Sequence, residues 1–315
     1  MTFRKIVSIN IDESKLDSEN WKRIDSFTEK RVILQKNSPE IKQNLIDADC
    51  LLVGFGVKVG KDILDSTPLK YVGMLGTGYG NIDVDYAKRK NVVVTNVPGY
   101  ATEAVAELVF GMILNHIREL EKARRRASEK DYSDLEYFSS EIKNKTFGII
   151  GPGRIGTRVA ELALAFGAKV IYWSRTRNKD IEMKGAKYED VETLIPKSDF
   201  LSLHLALTKD TENFLNEDKI QKIKNGAVVI NTAPMELIDM NSLEKRLGKG
   251  DMTFIMDHSD EMSEENLSKI SKFKSCIIYP PIGYGTKEAG IAKQEIFVDN
   301  IESFLKGSPT NKVNI

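Results

Sequence analysis

Six residues near the middle of the chain, Gly151-Pro152-Gly153-Arg154-Ile155-Gly156, carry the clearest chemistry in the sequence. The apolar run Phe147-Gly148-Ile149-Ile150 leads into them, and Val159, Leu162, Ala163 and Phe166 follow at helical spacing. A second apolar run, Val170-Ile171-Tyr172, closes the unit within about thirty residues. A glycine turn between a strand and a helix suits a diphosphate. Gly151 makes the tight turn, Gly153 admits the phosphates to the backbone, and Gly156 lets helix and strand pack closely. The helix start adds free N–H groups and a partial positive charge. The spacing therefore predicts a dinucleotide site built from Gly151, Gly153, Arg154, Ile155 and Gly156.

The end of the next strand should tell the two nicotinamide dinucleotides apart. NAD sites usually place an acid there for the ribose 2′-OH, whereas this chain reads Trp173-Ser174-Arg175-Thr176-Arg177. An arginine between two hydroxyls, Ser174, Arg175 and Thr176, suits a 2′-phosphate through charge-assisted bonds. NADP is the expected cofactor, with NAD as the alternative. The competing reading makes Arg175 and Arg177 plain surface charges.

These residues need a scaffold, and its pattern runs along the chain. Short apolar runs recur at Ile6-Val7-Ser8-Ile9, Leu51-Leu52-Val53, Tyr71-Val72-Gly73-Met74, Val92-Val93-Val94, Phe200-Leu201-Ser202-Leu203, Val228-Val229-Ile230 and Phe254-Ile255-Met256. Continuous runs, rather than alternating ones, fit strands covered on both faces. Strands alternating with helices predict an α/β fold with parallel sheets. A long helix is expected from Thr102, read as its N-cap, through Val105, Leu108, Val109, Met112, Ile113 and Ile117 to the charged Arg124-Arg125-Arg126.

At 315 residues the chain can form two domains. Its 46 basic and 46 acidic residues balance, which gives no global reason to expect nucleic acid or a membrane surface as a partner. No run of eighteen apolar residues occurs, and Met1 to Asn10 lacks a signal peptide's apolar centre. Cys50 and Cys276 show no ligand spacing, so buried free thiols are expected, with no metal. A cytoplasmic location is the expectation.

From about Leu51 to Ala289 the sequence resembles the D-isomer-specific 2-hydroxyacid dehydrogenases, which include glyoxylate/hydroxypyruvate reductases and phosphoglycerate dehydrogenase. Besides the glycine motif, the resemblance lies in Gly76-Thr77-Gly78-Tyr79-Gly80-Asn81-Ile82-Asp83, Thr95-Asn96-Val97-Pro98-Gly99, Ala104-Val105-Ala106-Glu107 and Ser198-Asp199-Phe200. It continues in Ser202-Leu203-His204-Leu205, Asn231-Thr232-Ala233 and Gly285-Thr286-Lys287-Glu288-Ala289. The stretch at Trp173 is similar to the NADP-using reductases of that group. The resemblance implies two Rossmann-like domains with doubly wound parallel sheets, the cofactor domain inserted into the substrate domain. Residues 1–99 plus 289–315 would form the flavodoxin-like substrate domain, and 100–288 the NAD(P)-binding domain. A small-molecule substrate bound in the cleft between domains, and a homodimer formed through the cofactor domain, are implied as well. So are nicotinamide contacts from Thr232, Ala233 and Asp257, and a substrate carboxylate near Phe55, Gly56, Thr77 and Gly78.

The match breaks at the chemistry. The family fixes its substrate with an arginine, moves a proton with a histidine and orients that histidine with a glutamate. The matching positions here are Pro234, Pro281 and Met262, and Met235 follows where the family has glycine. A one-residue loop shift would bring Glu261 to the place of Met262. Proline has neither an ionisable group nor an N–H, so ordinary 2-hydroxyacid oxidation is expected to be weak or absent.

Candidates for another proton donor are Tyr284, three residues beyond Pro281, then His258 and Glu261. His258 follows Asp257 directly and faces away from it if the strand continues. His116 reads as a helix residue and His204 as structural or cofactor-contacting. Two functions follow. One is an NADP-linked oxidoreductase with altered chemistry, reducing an imine, an activated double bond or a carbonyl. The other is a catalytically silent dinucleotide-binding protein acting as sensor or scaffold.

Overall fold

The computed structural model describes residues 2–133, 137, 139–257 and 262–314. The chain divides into two compact units, Met1–Tyr100 with Lys287–Ile315, and Ala101–Thr286.

The first unit opens with β1 (Ile6–Ile9), α1 (Ser18–Ser26), β2 (Arg31–Leu34), α2 (Ile41–Leu45) and β3 (Cys50–Val53). It continues with α3 (Lys61–Ser66), β4 (Tyr71–Met74), α4 (Val84–Arg89) and β5 (Val93–Thr95). The strands are all parallel and ordered β2-β1-β3-β4-β5. Every residue of β1, β3 and β4 is buried, because helices cover both faces of a parallel sheet. The Asp17 carboxylate starts α1 by accepting from Asn20 N–H, and Trp21 and Ile24 then turn into the core.

In the second unit come α5 (Thr102–Ile117), α6 (Leu120–Ser128), β6 (Thr146–Ile150), α7 (Arg154–Ala165), β7 (Lys169–Trp173), α8 (Lys179–Met183) and β8 (Lys187–Tyr188). They are followed by α9 (Val191–Lys197), β9 (Phe200–Leu203), α10 (Glu217–Gln221), β10 (Val228–Asn231), α11 (Met240–Leu247), β11 (Thr253–Met256), α12 (Glu264–Ser271) and β12 (Cys276–Ile278). Seven parallel strands run in the order β12-β11-β10-β9-β6-β7-β8. The order reverses beside β6, so the crevice outside β6 and β9 is where such a sheet takes a ligand. α5 packs on α7, with Phe110 stacked between Phe147 (5.8 Å) and Phe166 (5.0 Å).

Two helix expectations need correction. Thr102 is the first helical residue rather than the N-cap; Ala101 precedes it and makes no side-chain cap bond. The long helix also ends at Ile117, because Glu119 takes φ 50°, a left-handed conformation that breaks the ladder. The Arg124-Arg125-Arg126 triplet thus lies on a separate helix, α6, which buries no residue.

The chain then re-enters the first unit through α13 (Lys287–Leu305), burying Ala289, Phe297, Val298 and Ile301. Its last residues fasten to the edge strand β5. Val313 N–H donates to Val94 O at 2.9 Å. The Asn314 side chain accepts from Val94 N–H at 3.0 Å and donates to Val92 O at 2.6 Å. This clip occupies backbone groups that an edge strand otherwise leaves open. No helix among the described residues is long and apolar enough to cross a membrane.

Candidate functional site

Three glycines after β6 answer to three different constraints. Gly151 sits at φ +87°, and a Cβ there would come 2.8 Å from Leu205 Cδ2 and 3.0 Å from the His204 carbonyl. A Cβ on Gly156 would meet Gly151 O at 2.5 Å. Gly153 has nothing within 4 Å of that position, so its face is open. Thr157 N–H makes the first bond of α7, to Gly153 O, which leaves the amides of Arg154, Ile155 and Gly156 ahead of the helical ladder. A tight turn, an open glycine face and a helix start together fit a diphosphate.

Beside this loop lies a cavity of about 730 Å³ that reaches from Gly151 and Gly153 to the end of β7. Trp173 and Phe214, with ring centroids 4.9 Å apart, form its aromatic wall. Ser174, Arg175 and Thr176 line its far end, and Ser174 Oγ donates to Thr176 O at 2.6 Å. The two arginines there differ. Arg177 Nε donates to Glu182 Oε1 at 2.8 Å, and its guanidinium lies 5.5 Å from the Tyr188 ring centre. Arg175 is exposed and has no ion pair among the described residues. Asn178, which the sequence reading missed, N-caps α8 and reaches back to Pro152 O (3.3 Å) and Thr157 Oγ1 (3.2 Å). The signal was present: an asparagine followed by the acids Asp180 and Glu182 marks a helix start.

Along the same sheet edge, β9, β10, β11 and β12 are followed directly by His204, Thr232, Asp257 and Tyr279. His204 N–H donates to Ile150 O at 2.8 Å, and its ring Nε2 pairs with Ser202 Oγ at 2.8 Å. Burial lowers the imidazole pKa to about 3. At neutral pH the ring is therefore uncharged, and His204 also lines the cavity beside the glycine loop. On α5, burial also lowers the pKa of His116. Among the described residues, Thr232 Oγ1 is buried without a hydrogen-bond partner. Ala233 is buried, its carbonyl held by Asn231 Nδ2 at 2.8 Å. Asp257 is 3% exposed and its Oδ2 accepts from Gly283 N–H at 3.1 Å.

The positions where the resemblance calls for arginine, glutamate and histidine are built differently. Pro234 precedes a short 3₁₀ turn at Met235–Leu237, and Met235 is buried against Asn231 Nδ2. Met262 packs on the core of this unit, and the two methionines share a cavity of about 480 Å³. Pro281 lies in a turn in which Ile282 N–H donates to Pro280 O at 2.7 Å, and Tyr284, three residues after Pro281, is half exposed. His258 and Glu261 lie outside the described residues.

Phe55, Gly56, Thr77 and Gly78 belong to the other unit. Phe55, Gly56 and Gly78 line a cavity of about 150 Å³ after β3 and β4. Thr77 Oγ1 donates to Val97 O at 2.8 Å.

Residues 110–283 match the family model described as D-isomer specific 2-hydroxyacid dehydrogenase, NAD binding domain. A glyoxylate reductase of Thermococcus litoralis is 35% identical over 93% of this chain and 92% of its own length. The chain belongs to the D-isomer-specific 2-hydroxyacid dehydrogenase family. Two solved structures are similar over nearly the whole chain. A D-lactate dehydrogenase from Aquifex aeolicus, complexed with NAD and lactic acid, is 28% identical with a TM-score of 0.83, over 98% of this chain and 99% of that one. An acyclic imino acid reductase in complex with NADPH and D-Arg is 29% identical with a TM-score of 0.85, over the same shares. This 2-hydroxyacid dehydrogenase relative is thus an NAD(P)-dependent oxidoreductase of that superfamily.

Proposed function

We propose that the chain is an NADPH-dependent reductase of carbon–nitrogen double bonds, with only trace activity on the carbonyl of 2-oxo acids. The observation that carries this reading is the pair Pro234 and Pro281, standing in the arginine and histidine positions beside a complete glycine cradle. When bound, the reduced dinucleotide supplies a hydride to the substrate carbon. A reduced ketone needs a proton delivered to its oxygen by a side chain. A protonated imine already carries that proton on nitrogen and ends as a neutral amine. A site without imidazole therefore loses less on C=N than on C=O. The solved imino acid reductase of the same fold supports this choice.

In this reading the amides at Arg154, Ile155 and Gly156 hold the diphosphate, with Gly151 and Gly153 shaping the turn. Ser174, Arg175 and Thr176 take the 2′-phosphate. Thr232 Oγ1, the Ala233 backbone and Asp257 orient the carboxamide. Phe55, Gly56, Thr77 and Gly78 receive the substrate's carboxylate, which makes residues 1–100 with 287–315 the substrate unit.

Arg175→Ala is expected to weaken NADPH binding roughly ten- to hundredfold, the worth of a charged hydrogen bond, with NADH binding unmoved. Equal losses for the two cofactors in a titration would reject the 2′-phosphate role.

The reaction itself is tested by following NADPH absorbance with a 2-oxo acid alone and with the same acid plus an amine. Oxidation that requires the amine is the expected result. Brisk glyoxylate reduction without amine would overturn the reading, and silence across a panel of imines would favour a binding protein without turnover. Tyr284 has no required proton to deliver to a protonated imine, so Tyr284→Phe is expected to keep kcat within a fewfold. A loss near the ~10²–10⁴-fold cost of a missing acid–base group would assign the proton to this phenol.

A further inference from the structure

Lys293 stands where the pattern of α13 calls for an apolar side chain. Ala289 and Phe297, one turn to either side, are both buried, and residues four apart share a helix face. Counter-ions on a helix sit three or four residues away, and those positions are Ala289, Gly290, Ile296 and Phe297. No acid pairs with Lys293 among the described residues.

The nearby loop between β1 and α1 supplies none either. It is tied to α13 by Asp17 N–H donating to Gln294 Oε1 at 2.6 Å. Its acids are committed: Asp12 accepts from Ser14, Glu13 pairs with Arg31 at 3.0 Å, and Asp17 caps α1. What the loop brings toward Lys293 is a second cation, Lys15. The ammonium of Lys293 instead lies 5.6 Å from the centre of the Tyr100 ring. Burial, and then the charge of Lys15, hold its pKa below the ordinary lysine value. A half-buried cation beside a like charge costs stability, and the Tyr100 ring is the partner that offsets part of it.

Its place explains the arrangement. Lys15 follows β1 and Tyr100 follows β5, so Lys293 stands at the C-terminal edge of the five-stranded sheet, the end at which doubly wound sheets take ligands. Thr77 is bound into this edge, since Asn96 Nδ2 donates to Thr77 O at 2.7 Å and Asn300 Nδ2 of α13 donates to Asn96 O at 2.8 Å. On α13 itself, a Cβ on Gly290, three residues before Lys293, would meet nothing within 4 Å.

We propose that Lys293 is the cationic anchor for a carboxylate of the substrate, a role that rests on reading residues 1–100 with 287–315 as the substrate unit. An ammonium on a flexible stem can pair with a carboxylate as a point charge, without the fork geometry of the arginine that the resemblance calls for at position 234.

Binding of pyruvate and of its neutral methyl ester, measured by calorimetry with NADP present, tests the anchor. Lys293→Met should weaken pyruvate binding roughly ten- to hundredfold, leave methyl pyruvate and NADP binding unchanged, and keep or raise the melting temperature. Lys293→Arg should retain pyruvate binding within a fewfold. Equal losses for acid and ester, a lowered melting temperature with loss of every ligand, or no pyruvate binding by the unmodified chain would each overturn the proposal. The two readings separate cleanly. If acid binding depends on Lys293 but no imine is reduced, the anchor stands and the proposed reaction falls. If imines are reduced equally well by Lys293→Met, the reaction stands and the anchor falls.

Discussion

Gly153→Asp is expected to abolish dinucleotide binding while leaving the melting temperature where it is, and Gly156→Ala to do damage of the opposite kind. Gly153 is the N-cap of α7 at φ −72° and ψ −156°, a conformation any residue adopts, and aspartate is among the best N-caps. Nothing lies within 4 Å of its Cβ direction, so the substitution meets no protein atom. It does put a carboxylate against the space proposed for two phosphates. Like charges at about 4–5 Å with an effective dielectric near 20 repel by roughly 3–4 kcal/mol, enough for a loss of about a hundredfold or more. A Cβ on Gly156 would stand 2.5 Å from a backbone oxygen that holds the turn itself, so the loop must move. Overpacking of this kind costs about 1–3 kcal/mol, or several degrees of melting temperature in a domain of this size. Calorimetric titration and thermal unfolding of both variants check the pair. Retained NADPH binding in Gly153→Asp would place the cofactor elsewhere.

The second large effect is a gain. Pro234→Arg with Pro281→His restores the two side chains that the family resemblance calls for, and glyoxylate reduction with NADPH is expected to rise by roughly 10²–10⁴-fold. Each single change should give far less than its share, because members of one catalytic unit are not additive. Pro234 sits at φ −51° and ψ 138°, which arginine can adopt. Met235 is best left alone. It is 4% exposed, and cutting a buried methionine back costs about 2–5 kcal/mol. Measured kcat/KM for glyoxylate in the two single variants and the double would decide the matter. A flat result would mean that the prolines redirect the backbone rather than merely remove two side chains.

What the sequence discloses depends on how local the physics is. β1, β3, β9 and β10 are readable because a strand buried on both faces must be a run of apolar residues. β2 is a partly buried edge strand beginning at Arg31, β8 has two residues and β12 three, so none carries enough pattern to stand out. The break at Glu119 has no glycine or proline to announce it. The site divides in the same way. Each glycine of the cradle states its own backbone requirement, so that part is legible. Arg175 and Arg177 look alike as letters, and only Glu182 and Tyr188 separate a committed guanidinium from an available one. The meeting of Trp173 with Phe214 joins residues that no local pattern links. Lys293 could have been found, since a charge between Ala289 and Phe297 breaks the helical stripe.

The clip formed by Val313 and Asn314 on β5 has a consequence during synthesis. Val94 and its partner Asn314 are 220 positions apart, so a ribosome moving at ~5–20 residues per second leaves that strand border bare for roughly ten to forty seconds. Throughout that interval the nascent chain presents an open template to its neighbours on the polysome, and the whole second unit emerges before the seal arrives.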